Sequence, residues 1–179
     1  LEHLPGALEL VSSIVDQHKG DITVSPAIGF LCSLFTQAGT ESSPLSEALI
    51  TISGSLLDEP LLETDGLTII RTVINIFGEE SPEVLQYAFE IVTQRILSAN
   101  NLEHLKLLIS IATSITPFIE DTERLNYLLE CSLGYLTSKL FSVGGKEVLY
   151  DLIAAINDKS SELVLPHSEV IVDNYNFLL

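Results

Sequence analysis

The sequence contains no Met, no Trp, only 2 Cys and only 8 Lys and Arg in 179 residues. Each shortage closes off a class of protein. Cys32 and Cys131 lie far apart, each inside an apolar helical run, which predicts two buried, reduced thiols rather than a disulfide or a metal pair. Reduced thiols point to the cytoplasm and/or the nucleus. So few cations against 25 Asp and Glu leave a formal net charge of −17. A surface of that sign repels nucleic-acid backbones and anionic membranes, so no direct nucleic-acid contact is expected, whereas a basic protein segment is admissible. Met is missing even at position 1, and no basic stretch followed by an apolar one marks the start, so we expect a cleaved product or the ordered part of something longer.

One uncharged stretch has to be weighed as a membrane span. The stretch from Leu107 to Ile119 carries no charge, but it is closed by Lys106 on one side and Glu120 and Asp121 on the other and contains Ser110, Thr113, Ser114 and Thr116. A spanning helix needs about 20 apolar residues, so no membrane span is expected here and a helix buried on several sides explains the run better. No segment alternates apolar and polar residues over a useful length, and no sheet is supported. The tail is the exception: Val164-Leu165-Pro166 and Val170-Ile171-Val172 suit extended chain, and we expect a short helix or an ordered arm there.

What the chain has in quantity is apolar material, 46% of its residues, divided by repeated punctuation. Proline stands just inside runs of helix formers and Gly, Asn or a polar cluster follows them, the start-and-stop asymmetry of α-helices. Ser25-Pro26, Ser43-Pro44 and Ser81-Pro82 read as capped starts, with serine accepting from orphan N–H groups and proline at the first helical position; the three pairs also suit proline-directed kinases. Helices are predicted at Pro5 to Gln17, Pro26 to Gln37, Pro44 to Ile52, Leu61 to Phe77, Pro82 to Leu97, Leu102 to Ile115, Thr122 to Phe141 and Lys146 to Asn157. Gly20, Gly39, Gly54, Gly78, Asn100 with Asn101, Thr116-Pro117, and Gly144 with Gly145 are the stops. Val84, Leu85, Ala88, Ile91, Val92 and Ile96 make one apolar stripe, and Leu125, Leu128, Leu129, Ser132, Leu133 and Leu136 make another, widened by Tyr127 and Tyr135.

Starts recur roughly every 16 to 24 residues, so two helices occupy about 40, the spacing of HEAT and armadillo hairpins. The expected fold is therefore all-α: an α-solenoid of about eight helices stacked as antiparallel hairpins, with an irregular helical bundle as the alternative. Residues 1–165 would form a single repeat domain and 166–179 a C-terminal arm or short helix. The segment Ser81 to Phe141, SPEVLQYAFEIVTQRILSANNLEHLKLLISIATSITPFIEDTERLNYLLECSLGYLTSKLF, resembles the helical hairpins of HEAT-repeat proteins, and its cadence is similar to that of the importin-β and exportin family. The resemblance covers about a third of the chain and implies nucleocytoplasmic transport with recognition of cargo and of the small GTPase Ran. It carries over no contact residue.

Motifs of chemistry are missing. His3, His18, His104 and His167 are isolated, and neither HExxH nor CxxC occurs. His104 reads as a surface or interface histidine. The clusters Asp58/Glu59, Glu79/Glu80/Glu83 and Glu120/Asp121/Glu123 suit helix dipoles before metals, and none has the spacing of a Ca²⁺ loop. Gly144-Gly145-Lys146 lacks the upstream glycine and strand of a phosphate loop and reads as a plain turn. We expect no enzyme, no cofactor and no metal. Between Asp21 and Thr68 every charged residue is acidic, and Glu41, Glu47, Asp58, Glu59, Glu63 and Asp65 are the candidate contacts for a Lys/Arg-rich partner. Two functions are expected on these grounds: a transport or adaptor module holding basic segments, or a structural subunit of a larger assembly whose charge only maintains solubility.

Overall fold

The computed structural model describes residues 3–18, 20–99, 101–138 and 145–176, and the chain is all-α. Among the described residues, eight helices of twelve or more residues follow one another: α1 Leu4–Gln17, α2 Ser25–Ala38, α3 Ser46–Leu57, α4 Glu63–Phe77, α5 Pro82–Arg95, α6 Leu102–Ile115, α7 Thr122–Thr137 and α8 Glu147–Lys159. Two shorter helices, α9 Ser161–Val164 and α10 Ser168–Asn176, come after them. No strand occurs among the described residues. Contacts divide the chain into two compact units, Leu1–Val84 and Leu85–Leu179.

In the N-terminal unit α1 packs on α2 and α3, and α4 packs on both α2 and α3. The reason is visible in each stripe. Ile28, Leu31, Cys32 and Phe35 recur on α2 at spacings of three and four, and all are buried. Gly66 and Leu67, then Ile69, Ile70, Val73, Ile74 and Phe77, do the same more broadly on α4, which therefore has neighbours on two sides. Gly39 ends α2 at a φ of 58°, a value that strains any residue with a Cβ.

Three local expectations fail here for definite reasons. Ser25 is not a cap: α2 has no side-chain cap bond, and the Ser25 hydroxyl instead donates to Asp65 at 2.6 Å. Ser43 and Pro44 lie inside a 3-10 turn, Gly39–Leu45, so α3 begins at Ser46 rather than Pro44. Gly54 does not stop α3, which continues to Leu57 because Leu56 and Leu57 are buried there, and that burial outweighs the roughly 1 kcal/mol a mid-helix glycine costs. The helical stretch Ile22–Leu57 is, by length and composition, long and apolar enough to cross a membrane. In this fold it is divided, and α2 and α3, of 14 and 12 residues, each fall short of the about 20 that a span needs.

In the C-terminal unit α8 packs against α6, α7 and α9, and α10 against α7. The uncharged run from Leu107 is buried on several sides, with Leu108, Ile109, Ile111, Ala112 and Ile115 almost wholly covered. The tail is helical rather than extended, α9 leading through a 3-10 turn into α10. Lys146 and Tyr150 hold it: Lys146 Nζ donates to the Leu136 carbonyl at 2.8 Å and to Asn174 at 3.3 Å, and the Tyr150 and Tyr175 rings meet edge to face, centroids 5.4 Å apart. The seventh helix, expected to run to Phe141, ends at Thr137, where Ser138 turns to extended backbone and its N–H closes on the Tyr135 carbonyl; the stops at Asn100 and Gly144 lie outside the described residues.

Side-chain caps form at Asp21, Asn101 and Asp121, each accepting from the backbone N–H two residues on at 2.9 Å. Asn101→Ala is expected to cost about 1 kcal/mol, because it orphans an N–H of α6; urea denaturation followed by circular dichroism measures this, and Asn101→Asp should restore the loss.

Candidate functional site

All six candidate carboxylates belong to the N-terminal unit, and their local settings separate them. Glu47 lies in the first turn of α3, Glu63 and Asp65 in the first turn of α4, and Glu41 in the 3-10 turn that precedes α3. At such positions the unpaired N–H groups and the positive end of the helix favour an anion by about 0.3–1 kcal/mol. Asp58 and Glu59 stand at the other end of α3, Asp58 as its C-terminal cap. There the helix dipole opposes a negative charge.

Glu59 and Asp65 both face the connection between α1 and α2. A Cβ on Gly20, which sits at a φ of 81°, would stand 3.6 Å from a Glu59 carboxylate oxygen, and Asp65 accepts the Ser25 hydroxyl. Asp65 is thus partly spent on joining α4 to α2. Glu41 and Glu47 belong to the α2–α3 connection, where Glu41 edges a hollow of about 430 Å³ lined also by His3, Leu4, Leu34, Gln37 and Ala38. Glu41, Glu47 and Asp58 are exposed, whereas Glu59, Glu63 and Asp65 are half-buried. Asp21, in the same one-signed stretch, has its carboxyl held below the usual range by the Thr23 N–H.

Several other residues prove structural. Cys32 and Cys131 are both free and buried, and burial pushes both thiols up, which makes them poor nucleophiles. His104, expected at the surface or at an interface, is 9% exposed and so is not at the surface; the turn of α6 carries it inward beside Leu105, Leu107 and Leu108. Glu120 pairs with Lys159 at 2.9 Å, and Asp121 with Arg124 at 3.6 Å. Lys146 is committed to protein oxygens. Among the described residues no group of three or more His, Cys, Asp and Glu is placed to hold a metal ion.

A groove on the C-terminal unit was not foreseen from the sequence. It is open, about 420 Å³ in volume, and lined by Leu97, Tyr127, Glu130, Cys131, Gly134, Tyr135 and Ser138. The two tyrosines are anchored across it: Tyr127 donates to the Thr93 carbonyl at 3.3 Å and Tyr135 to that of Ile96. Burial, with the adjacent Cys131 thiol adding to it, pushes the Tyr127 phenol up to about 12, and burial also raises Tyr135. Leu97, read from the sequence as the end of the fifth helix, lies in a 3-10 turn beyond it and is 68% exposed.

Set against known proteins, the chain matches no family model, no curated protein and no solved structure.

Proposed function

We propose that this chain is a protein-interaction module of stacked helical hairpins whose N-terminal unit takes a basic segment of a partner. The observation that carries the reading is the one-signed stretch from Asp21 to Thr68, which holds all six candidate carboxylates and has no Lys or Arg. Packing within each unit supports the hairpin arrangement: α1 contacts α2 and α3, α2 contacts α4, and α6 and α7 both contact α8, the near-neighbour pattern of a repeat stack. In the resemblance to importin-β and exportins, such a stack is a transport receptor or adaptor.

The test is binding of a fluorescein-labelled oligoarginine peptide by the full chain, read by anisotropy as salt is raised. Affinity should fall steadily with salt, since exposed charges are screened over about 8 Å at physiological ionic strength. The double variant Asp58→Asn, Glu59→Gln should bind several-fold more weakly with a shallower salt dependence, while Glu47→Gln stays near the parent. Salt-indifferent binding would sink the reading. Displacement of the peptide by GTP-loaded Ran would assign the module to transport.

One observation favours a second reading, a structural subunit of a larger assembly. Leu165, Val172 and Tyr175 in the C-terminal segment are 73%, 54% and 49% exposed, apolar surface of the kind that subunit contacts cover. Association that persists at high salt and is lost in Leu165→Ser, Val172→Ser would support it.

A further inference from the structure

We propose that Ser43 is a phosphorylation site for a proline-directed protein kinase, and that its phosphate strengthens the hold of the N-terminal unit on a basic segment. The modification stands by itself; its effect on binding rests on the reading of a basic partner.

Each of the three Ser-Pro pairs has two explanations in the sequence, helix capping and kinase recognition, and the fold separates them. Ser25 has helical dihedrals inside α2, and its hydroxyl is bonded to Asp65. A kinase would have to unwind a helix whose Ile28 and Leu31 are buried. Ser81 is half-buried and stands immediately before α5, with Pro82 as the first helical residue, so it occupies the place that helix starts favour for serine. Ser43 has lost the capping explanation, because α3 begins three residues later at Ser46. Its carbonyl accepts the Ser46 hydroxyl at 2.8 Å, whereas its own hydroxyl is bonded to none of the described residues, and both Ser43 and Pro44 are exposed.

A kinase must also draw its target into extended chain, and the 3-10 turn Gly39–Leu45 resists that weakly. Ser42 is its one buried residue, and the i→i+3 bonds of such a turn are poorer than those of an α-helix. Pro44 opposes the turn as well, since the residue before a proline is pushed towards extended backbone. Opening here costs little beside the unwinding of a helix. Proline is then what the enzyme reads: it has no N–H, so a groove that offers no acceptor at that position rejects other residues, whose N–H would be left unpaired.

In the reaction the Ser43 Oγ attacks the γ-phosphorus of a nucleoside triphosphate, the bond from that phosphorus to the bridging oxygen breaks, the nucleoside diphosphate leaves, and the hydroxyl proton passes to the catalytic carboxylate of the kinase. The product carries a charge of about −1.5 to −2 at pH 7, more than any one carboxylate. Glu41 stands two residues before it and Glu47 four after it, so the charge is added within the one-signed stretch from Asp21 to Thr68. It lies on the N-terminal side of α3, whose positive end accepts an anion, so the helix is retained.

The test incubates the full chain with ATP and a mitogen-activated protein kinase and locates phosphate by intact mass and fragment-ion mapping. The expected result is one phosphate on Ser43, absent in Ser43→Ala, formed at least roughly tenfold more slowly in Pro44→Ala, and formed at the parent rate in Ser81→Ala. Circular dichroism of each variant separates loss of the site from loss of the fold. A free peptide of residues 36–50 serves as the kinase control. Phosphate on the peptide but not on Ser43 of the folded chain overturns the site, as does phosphate on Ser25 or Ser81 alone, or on neither peptide nor chain. The phosphorylated and unmodified chains are then titrated with the oligoarginine peptide, and binding about threefold tighter after phosphorylation, with a steeper salt dependence, is expected. Equal affinity of the two forms overturns the effect on binding and leaves the basic-partner reading standing. If neither form binds the peptide, that reading and the effect fall together, and the mass spectrum still decides the site.

Discussion

Phe35→Ala should remove about 3–5 kcal/mol from the stability of the N-terminal unit, the cost of emptying a fully buried aromatic site that its surroundings refill only in part. Phe35 is 0% exposed on the inner stripe of α2, which packs against α1 and α4. Domains of this size are stable by only about 5–15 kcal/mol in all, so the change takes a large share. Phe30 is the internal control: it lies on the same helix, is 58% exposed, and Phe30→Ala should move stability by no more than about 0.5 kcal/mol. Urea denaturation followed by circular dichroism separates the two, because the midpoint falls sharply for one and hardly for the other. A loss in Phe35→Ala as small as in Phe30→Ala would mean that α2 does not bury the face described here.

Most of the helical pattern was legible in the sequence. Leu102–Ile115 is found where the periodicity placed it, because a strong apolar stripe is closed by Thr116-Pro117, which cannot continue an α-helix without strain. Legibility failed where distant contacts decide. Serine before proline resembles a cap, but Ser25 has helical dihedrals and lies inside α2, and its hydroxyl donates to Asp65, 40 residues away. Gly54 resembles a stop only until Leu56 and Leu57 are known to be buried.

The same division applies to the sites. The acidic stretch is a property of the sequence, so its six carboxylates were readable before any fold. Which of them oppose their helix dipole depends on where α3 ends, and the sequence put that end five residues early. The groove was not readable at all. Tyr127 and Tyr135 looked like the margin of an apolar stripe, and only their bonds to Thr93 and Ile96, 34 and 39 residues back in the chain, fix that margin as the wall of a groove.

Gly66→Leu should be at least as damaging as the loss of Phe35, and for the opposite reason, an excess of volume. Gly66 lies where α4 crosses α3, and a Cβ on it would stand 3.0 Å from the Ser53 carbonyl oxygen and 3.1 Å from Leu57 Cγ. A side-chain tip could move aside, but the carbonyl belongs to the backbone of α3 and Leu57 is only 4% exposed, with little room to retreat. Alanine at this position should cost about 1–2 kcal/mol, overpacking of about 1–3 kcal/mol offset in part by the better helix propensity of alanine. Leucine carries three more carbons into the same contact and should cost about 3 kcal/mol or more, enough to force α3 and α4 apart. Gly29 supplies the opposite sign: its Cβ would meet nothing within 4 Å, so Gly29→Ala should stabilise by about 0.5–1 kcal/mol. The measurement is urea unfolding of all three variants beside the parent. If Gly66→Ala stabilises as much as Gly29→Ala, the close approach of α3 and α4 is wrong.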